Sequence, residues 1–184
     1  MPASHPPDSL SNSEPLSLAP HGLVADLADC LQKKHWQLAT AESCTGGLIS
    51  AACTELAGSS VWFERGFVTY SNAAKTELLG VDSALIEQHG AVSEEVARAM
   101  VQGAIRHSRA QVAVAVTGVA GPSGGSAAKP VGTVCFGFMV DGQLSSETRR
   151  FAGERRQVRQ ATVHHALQGL LALLKDGRRR RSIG

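Results

Sequence analysis

Residues 112–117 read Val-Ala-Val-Ala-Val-Thr, without a charge and without the polar alternation of a half-exposed strand. A strand of this kind is buried on both faces, so helices must cover it from both sides. Helix-like and strand-like stretches interleave along the rest of the chain, which places it in the α/β class. The expected architecture is a three-layer α/β/α sandwich with a mixed central sheet. Some antiparallel pairing is required by Asp141-Gly142, a two-residue hairpin signal between strand-like residues 131–140 and 144–151.

With 184 residues the chain is long enough for one well-filled domain and short for two. Aromatic residues make up only 4%, so the core must rest on Val, Leu, Ile and Ala. Residues 1–20 are rich in Pro and Ser and read as a disordered leader. The domain proper is expected over residues 21–175. Residues 176–184 form a basic tail whose run Arg178-Arg179-Arg180-Arg181 reads as a solvated, disordered end. The net charge of +2 gives no reason to expect a nucleic-acid partner. No stretch has the length and apolarity of a membrane span. Cys30, Cys44, Cys53 and Cys135 show neither C-x-x-C nor zinc spacing; Cys30, Cys53 and Cys135 read as small buried hydrophobes, and the set points to a reducing, cytoplasmic compartment. The histidines are scattered, and no metal site is expected.

Periodicity predicts a first helix over residues 22–34 and a strand over 37–41. A second helix follows Thr45 and stops near Gly58, and a long strand covers 61–70. Asn72 is the expected cap of a helix over 73–79 ended by Gly80. A further helix starts at Asp82 or Ser83 and ends at Gly90. Ser93 caps an amphipathic helix carrying Val96, Ala97, Met100, Val101, Ala104 and Ile105 on one stripe. Residues 118–130 form a Gly/Ser/Pro-rich loop, and a last helix runs over 154–174.

Chemistry concentrates at strand-to-helix junctions. Ala41-Glu42-Ser43-Cys44-Thr45-Gly46-Gly47 joins the first strand to the second helix. Its glycines allow close approach to a ligand, and a new helix aims free N–H groups at it. Ser43 would sit beside those donors, as a nucleophile requires. Cys44 is a rival, since a thiol at a helix N-terminus can be activated, but no partner histidine is evident. Lys75, read as the third residue of an Asn72-capped helix, is placed where the helix dipole disfavours an ammonium. With Ser43 it would form a Ser–Lys pair. Tyr70, the only tyrosine, ends the strand that delivers Lys75 and would relay a proton or orient the pair. Ser126-Ala127-Ala128-Lys129 matches S-x-x-K, but it lies in a loop without the accompanying S-D-N or K-T-G. Thr117-Gly118-Val119-Ala120-Gly121 follows the central strand, at the edge where ligands collect in α/β sheets. Arg155 and Arg159, four apart at the start of the last helix, suit a phosphate, with Arg156 facing elsewhere.

Taken together, Ala41 to Gly47, the stretch Gly58 to Lys75, His89-Gly90-Ala91-Val92-Ser93-Glu94-Glu95, Thr117 to Pro122 and Lys129-Pro130-Val131-Gly132-Thr133 closely resemble the C-terminal domain family of the competence/damage-inducible protein CinA. Stand-alone members of that family are nicotinamide-nucleotide amidases. The resemblance spans roughly residues 21–175. It implies hydrolysis of the carboxamide of nicotinamide mononucleotide (NMN) to nicotinate mononucleotide and ammonia. It also implies Ser43 as nucleophile, Lys75 as base, Tyr70 nearby, no cofactor and a homo-oligomer. Longer members carry an N-terminal domain that the expected leader is too short to hold. On this reading N–H groups near Thr45, Gly46 and Gly47 stabilise the oxyanion, with the Thr117, Gly118 and Gly121 loop as a second source. The 5′-phosphate falls to Arg155, Arg159 or the glycine loop. The alternative is a non-catalytic nucleotide-binding or competence/DNA-damage accessory module, which needs the glycine loops but no neutral lysine.

Overall fold

The computed structural model describes residues 20–181. The expected leader lies outside the described residues except for Pro20, and so do residues 182–184 of the tail. The chain runs through α1 (His21–Gln32), β1 (Leu38–Glu42), α2 (Leu48–Thr54), β2 (Phe63–Val68), α3 (Asn72–Leu79), α4 (Ser83–His89), α5 (Glu94–Arg106), β3 (Val112–Gly118), β4 (Thr133–Val140), β5 (Gln143–Arg150) and α6 (Arg155–Arg181). One 3-10 turn, Ser59–Val61, precedes β2.

The five strands form one sheet in the order β2-β1-β3-β4-β5. β1 pairs in parallel with both β2 and β3, and only β4 runs against the rest. The turn between β4 and β5 holds Asp141 at φ 51° and Gly142 at φ 76°. That pair of positive φ values matches the twist of a two-residue hairpin. As the apolar run requires, β3 sits in the centre.

Side chains alternate across β3. Val112, Val114 and Val116 pack with α1, α2 and α6, while Ala113 and Ala115 pack with α5 and Leu79 of α3. The sandwich therefore has three layers, with α1, α2 and α6 on one face and α3, α4 and α5 on the other. Small residues bring α5 close to the sheet: a Cβ on Gly137 of β4 would stand 2.4 Å from the carbonyl oxygen of Ala97. The expected α5 stripe is buried at Val96, Ala97, Met100, Val101 and Ala104.

Four boundaries differ from the sequence reading. β2 is shorter, because Val61 belongs to the 3-10 turn and Thr69 and Tyr70 lie past its last residue, Val68. The cap of α3 is Ser71, not Asn72: Ser71 is extended (φ −94°, ψ 164°) and its Oγ accepts from the Ala74 N–H at 3.0 Å. Lys75 is thus the fourth helical residue. The second helix already ends at Thr54, short of Gly58. Finally, α6 continues through Arg178-Arg179-Arg180-Arg181 where a disordered end was expected. Arginine is a good helix former, and no proline interrupts the segment.

The sheet order sets the place of the site. From β1 the chain crosses to β2 through α2 on one face, and from β2 to β3 through α3, α4 and α5 on the other. In the sheet order β1 connects outward to β2 on one side and β3 connects to β4 on the other, so a crevice opens beyond the C-terminal ends of β1 and β3.

Candidate active site

Strand parity decides which residue of the Ser-Cys pair faces which layer. Along β1, Leu38 belongs to the α1/α2/α6 core, and Ala39 and Ala41 to the α3–α5 core. Two-residue periodicity carries Thr40 and Glu42 to the α2 side and Ser43 to the α3 side. The Ser43 N–H still extends the ladder, donating to the Val116 carbonyl at 3.0 Å. Cys44 falls into the α1/α2/α6 core.

On the α3 side Ser43 meets Lys75, whose Nζ lies 3.1 Å from the Ser43 Oγ and 3.1 Å from the Thr69 carbonyl oxygen. Lys75 is 1% exposed and Ser43 is 8% exposed. Among the described residues no carboxylate bonds to the amine. Burial therefore acts on an ammonium without a counter-ion, and it lowers the Lys75 pKa below the ordinary lysine value; Cys44 opposes this weakly. Desolvation, rather than an N-terminal dipole position, is the cause. The Cys44 thiol is pushed up to about 12, again by burial. It stays protonated at neutral pH, which removes it as a competing nucleophile.

Two expectations for the neighbourhood change. Tyr70 does not cover Lys75: it is 61% exposed, and its hydroxyl accepts from Arg155 Nη2 at 3.0 Å. Among the described residues it makes no hydrogen bond to the Ser–Lys pair. The N–H groups of the turn are also mostly taken. Gly46 donates to the Ser43 carbonyl at 3.1 Å and Gly47 to Glu42 Oε2 at 3.1 Å. Both glycines hold left-handed φ values of 60° and 99°, which explains their use here. Of the three residues expected to stabilise an oxyanion, only Thr45 retains an N–H without an acceptor among the described residues.

The sequence reading missed Glu42. Its carboxylate is fully buried and tied to the start of α2. Oε2 accepts from the Thr45 Oγ1 at 2.7 Å, the Gly47 N–H and the Ile49 N–H at 3.0 Å. Oε1 accepts from the Ser50 N–H at 2.8 Å and the Ser50 Oγ at 2.7 Å. The available signal was an acidic residue at the end of an otherwise small, uncharged strand, directly before a helix start that attracts anions.

The second half of the site lies on the α6 side. A cavity of about 1020 Å³ is lined by Leu48, Gly121, Val131 and the three arginines Arg155, Arg156 and Arg159, among others. Arg156, expected to face elsewhere, shares it. Arg155 Nη1 donates to the Gly121 carbonyl at 3.0 Å, and Arg159 Nη2 to the Thr45 carbonyl at 2.7 Å. The Arg159 Nε is buried without a partner. Neither Ser43 nor Lys75 lines the cavity, but Arg159 joins its wall to the Ser43 turn through the Thr45 carbonyl. Of the expected loop residues, Gly121 reaches the cavity, whereas the Thr117 hydroxyl donates to the Ala91 carbonyl at 2.8 Å. Gly118 closes β3 against β4, where a Cβ would stand 2.8 Å from the Thr133 carbonyl oxygen. Among the described residues no three His, Cys, Asp or Glu side chains stand together as metal ligands, and no helix is long and apolar enough to cross a membrane.

Fold and site together define an α/β/α domain with a buried serine–lysine pair at the crevice of its parallel strands. The chain belongs to the CinA C-terminal domain family, whose model matches residues 21–174. The nicotinamide-nucleotide amidohydrolase PncC of Enterobacter agglomerans is 53% identical over 85% of this chain and 96% of its own length. That of Pseudomonas putida is 55% identical over 82% of this chain and 94% of its own. The crystal structure of the competence/damage inducible protein CihA from Agrobacterium tumefaciens superposes with a TM-score of 0.80 at 45% identity, covering 86% of this chain and 99% of that one.

Proposed function

We propose that this protein hydrolyses the carboxamide of nicotinamide mononucleotide, giving nicotinate mononucleotide and ammonia. The observation that carries the reading is the 3.1 Å contact between Ser43 Oγ and a buried, unpaired Lys75 amine. A module that only binds nucleotides has no use for such a lysine, whereas a general base needs its proton off near neutral pH. The names and high coverage of the amidohydrolase relatives support the same substrate.

In the proposed mechanism, Ser43 Oγ attacks the carboxamide carbon and its proton passes to the neutral Lys75 Nζ. The carbonyl oxygen becomes an oxyanion, for which the Thr45 N–H is the proposed donor. Collapse breaks the C–N bond, and the Lys75 ammonium returns its proton to the departing nitrogen, releasing ammonia. Water then attacks the Ser43 ester, Lys75 takes the water proton and passes it to the Ser43 Oγ as the C–O bond to serine breaks, and nicotinate mononucleotide leaves. The phosphate and ribose belong in the arginine-lined cavity. There Arg155 and Arg159 are parked on backbone carbonyls that are weaker acceptors than a phosphate dianion. Tyr70, through its bond to Arg155, serves binding in this scheme and relays no proton.

The same proposal places the reaction in pyridine nucleotide recycling in the cytoplasm and the chain in a homo-oligomer. The exposed apolar side chains Val61, Val68, Tyr70 and Leu78 lie on or beside the edge strand β2 and α3, and offer the surface for assembly. The test is ammonia release from NMN by the purified chain, with Ser43→Ala as control. Tight product binding without ammonia release would favour the accessory-module reading instead.

A further inference from the structure

Helix α2 begins where the sequence suggests an anion-binding turn, yet the chain's own carboxylate occupies that place. Glu42 receives the Gly47, Ile49 and Ser50 N–H groups together with the Thr45 and Ser50 hydroxyls. Thr40 adds a second tier. Its Oγ1 lies 2.7 Å from Ser50 Oγ and 3.3 Å from Glu42 Oε1. The two hydroxyls have two protons for three contacts, and the distances favour Thr40 donating to Ser50 and Ser50 to Glu42. A glycine in the neighbouring strand makes room for this layer: a Cβ on Gly66 of β2 would stand 2.3 Å from Ser50 Oγ and 3.0 Å from Thr40 Oγ1.

The consequence falls on the residue between. Glu42 precedes Ser43, and its side chain grips residues 45, 47, 49 and 50 that follow. Ser43 is held in the closed ring this makes, with its N–H on Val116 and its carbonyl on Gly46. Parity then turns Glu42 and Ser43 to opposite faces of the sheet, so the harder the carboxylate is pulled toward α2, the more firmly the Ser43 Oγ is aimed at Lys75. We propose that Glu42 is the positioning residue for the nucleophile: its carboxylate, by accepting from residues 45, 47, 49 and 50, fixes the Ser43 turn. This rests on the amidase reading above. A displacement of about 1 Å at a reacting atom can cost roughly a hundredfold in rate, so a loosened turn has a large kinetic signature.

Glu42→Gln tests it, because an amide keeps the shape but presents N–H₂ to a set of donors. Two rates are read in the full chain: kcat for NMN, and the rate at which a fluorophosphonate probe labels Ser43, followed by intact mass. The expected result is a fall of about thirtyfold or more in both, with KM for NMN and the Kd of nicotinate mononucleotide within about threefold of wild type. The pH midpoint of labelling should not move, since Lys75 is untouched. A residue that merely stabilises the fold would lower the melting temperature and leave both rates intact below it, and that result overturns the proposal. If Glu42→Gln does not fold, Ser50→Ala and Gly66→Ala replace it. Each weakens only the Oε1 side, and each should slow labelling by about threefold or more; unchanged labelling in both sinks the idea. A wild-type chain that labels at Ser43 but releases no ammonia from NMN refutes the amidase reading alone. One that does neither removes both.

Discussion

The two halves of the site are built in opposite ways. On the Ser43 side Glu42, Ser43, Thr69 and Lys75 are all buried, and of their side-chain polar atoms only the Thr69 hydroxyl lacks a partner. Lys75 reaches Ser43 and Thr69, and Glu42 gathers the start of α2. On the α6 side the cavity is open, Arg155 and Arg156 are exposed, and the Arg159 Nε lacks a partner. The first half holds one geometry before any ligand arrives. The second offers cations whose present acceptors are two backbone carbonyls and the Tyr70 hydroxyl. Rate should depend on the first half and affinity on the second.

The sharpest way to break this division is at Ser43. Ser43→Ala should lower turnover on the order of 10⁴-fold or more, in line with removing the nucleophile of other covalent hydrolases. Product affinity should stay near wild type by calorimetry. Cys44→Ala, one residue on but facing the other core, should retain turnover within about threefold. A dead Cys44→Ala beside an active Ser43→Ala would reverse the assignment that strand parity gives.

A smaller and opposite effect is expected in the cavity. Hydrogen bonds to charged groups contribute about 1.5–3 kcal/mol, so Arg155→Ala should raise KM for NMN by roughly 10- to 100-fold while kcat changes little. Nicotinamide riboside, which has no phosphate, should be almost insensitive to the substitution. Equal losses on both substrates would place Arg155 in the chemistry and blur the division. Arg159→Ala should affect both constants, because Arg159 also holds the Thr45 carbonyl.

The smallest effect concerns stability. The folded pKa of Lys75 lies below its unfolded value of about 10.4. Between those two values the unfolded chain binds more protons, so stability rises with pH across that window and the burial penalty is fullest below it. Lys75→Met removes the titrating group. Its melting temperature relative to wild type should therefore be most favourable near neutral pH and should decline as pH climbs toward 10. A difference that is flat with pH would mean that Lys75 titrates normally.

Much of this was legible in the chain. The uncharged run in β3 demanded two helical layers, Asp141-Gly142 demanded the hairpin, and Ser93 announced α5. Ser43 and Lys75 were legible as residue types at strand-to-helix junctions, and the family motifs brought them together. The sequence was silent on facing. Whether Ser43 or Cys44 turns toward α3 depends on where β1 begins its pleat, and a shift of one residue in that strand would exchange them. The direction of Tyr70 is not legible from its place after the edge strand β2; in the fold its hydroxyl meets Arg155. Glu42 was not legible because a carboxylate inside a strand looks unfavourable until two donors from the following turn and three from the next helix are folded onto it. Arg156 was excluded by helical spacing alone, although its neighbours leave it room at the cavity wall.

The central claim is that Lys75 is the base, its pKa lowered by burial. The most direct measurement is the pH dependence of kcat/KM for ammonia release from NMN, in wild type and in Lys75→Arg. An acidic limb with its midpoint well below the ordinary lysine value is expected for the wild type. Lys75→Arg should lose nearly all turnover at every pH, since a guanidinium keeps its proton, while still binding nicotinate mononucleotide. Near-normal turnover in Lys75→Arg, or a wild-type limb at the unperturbed lysine value, would contradict the account.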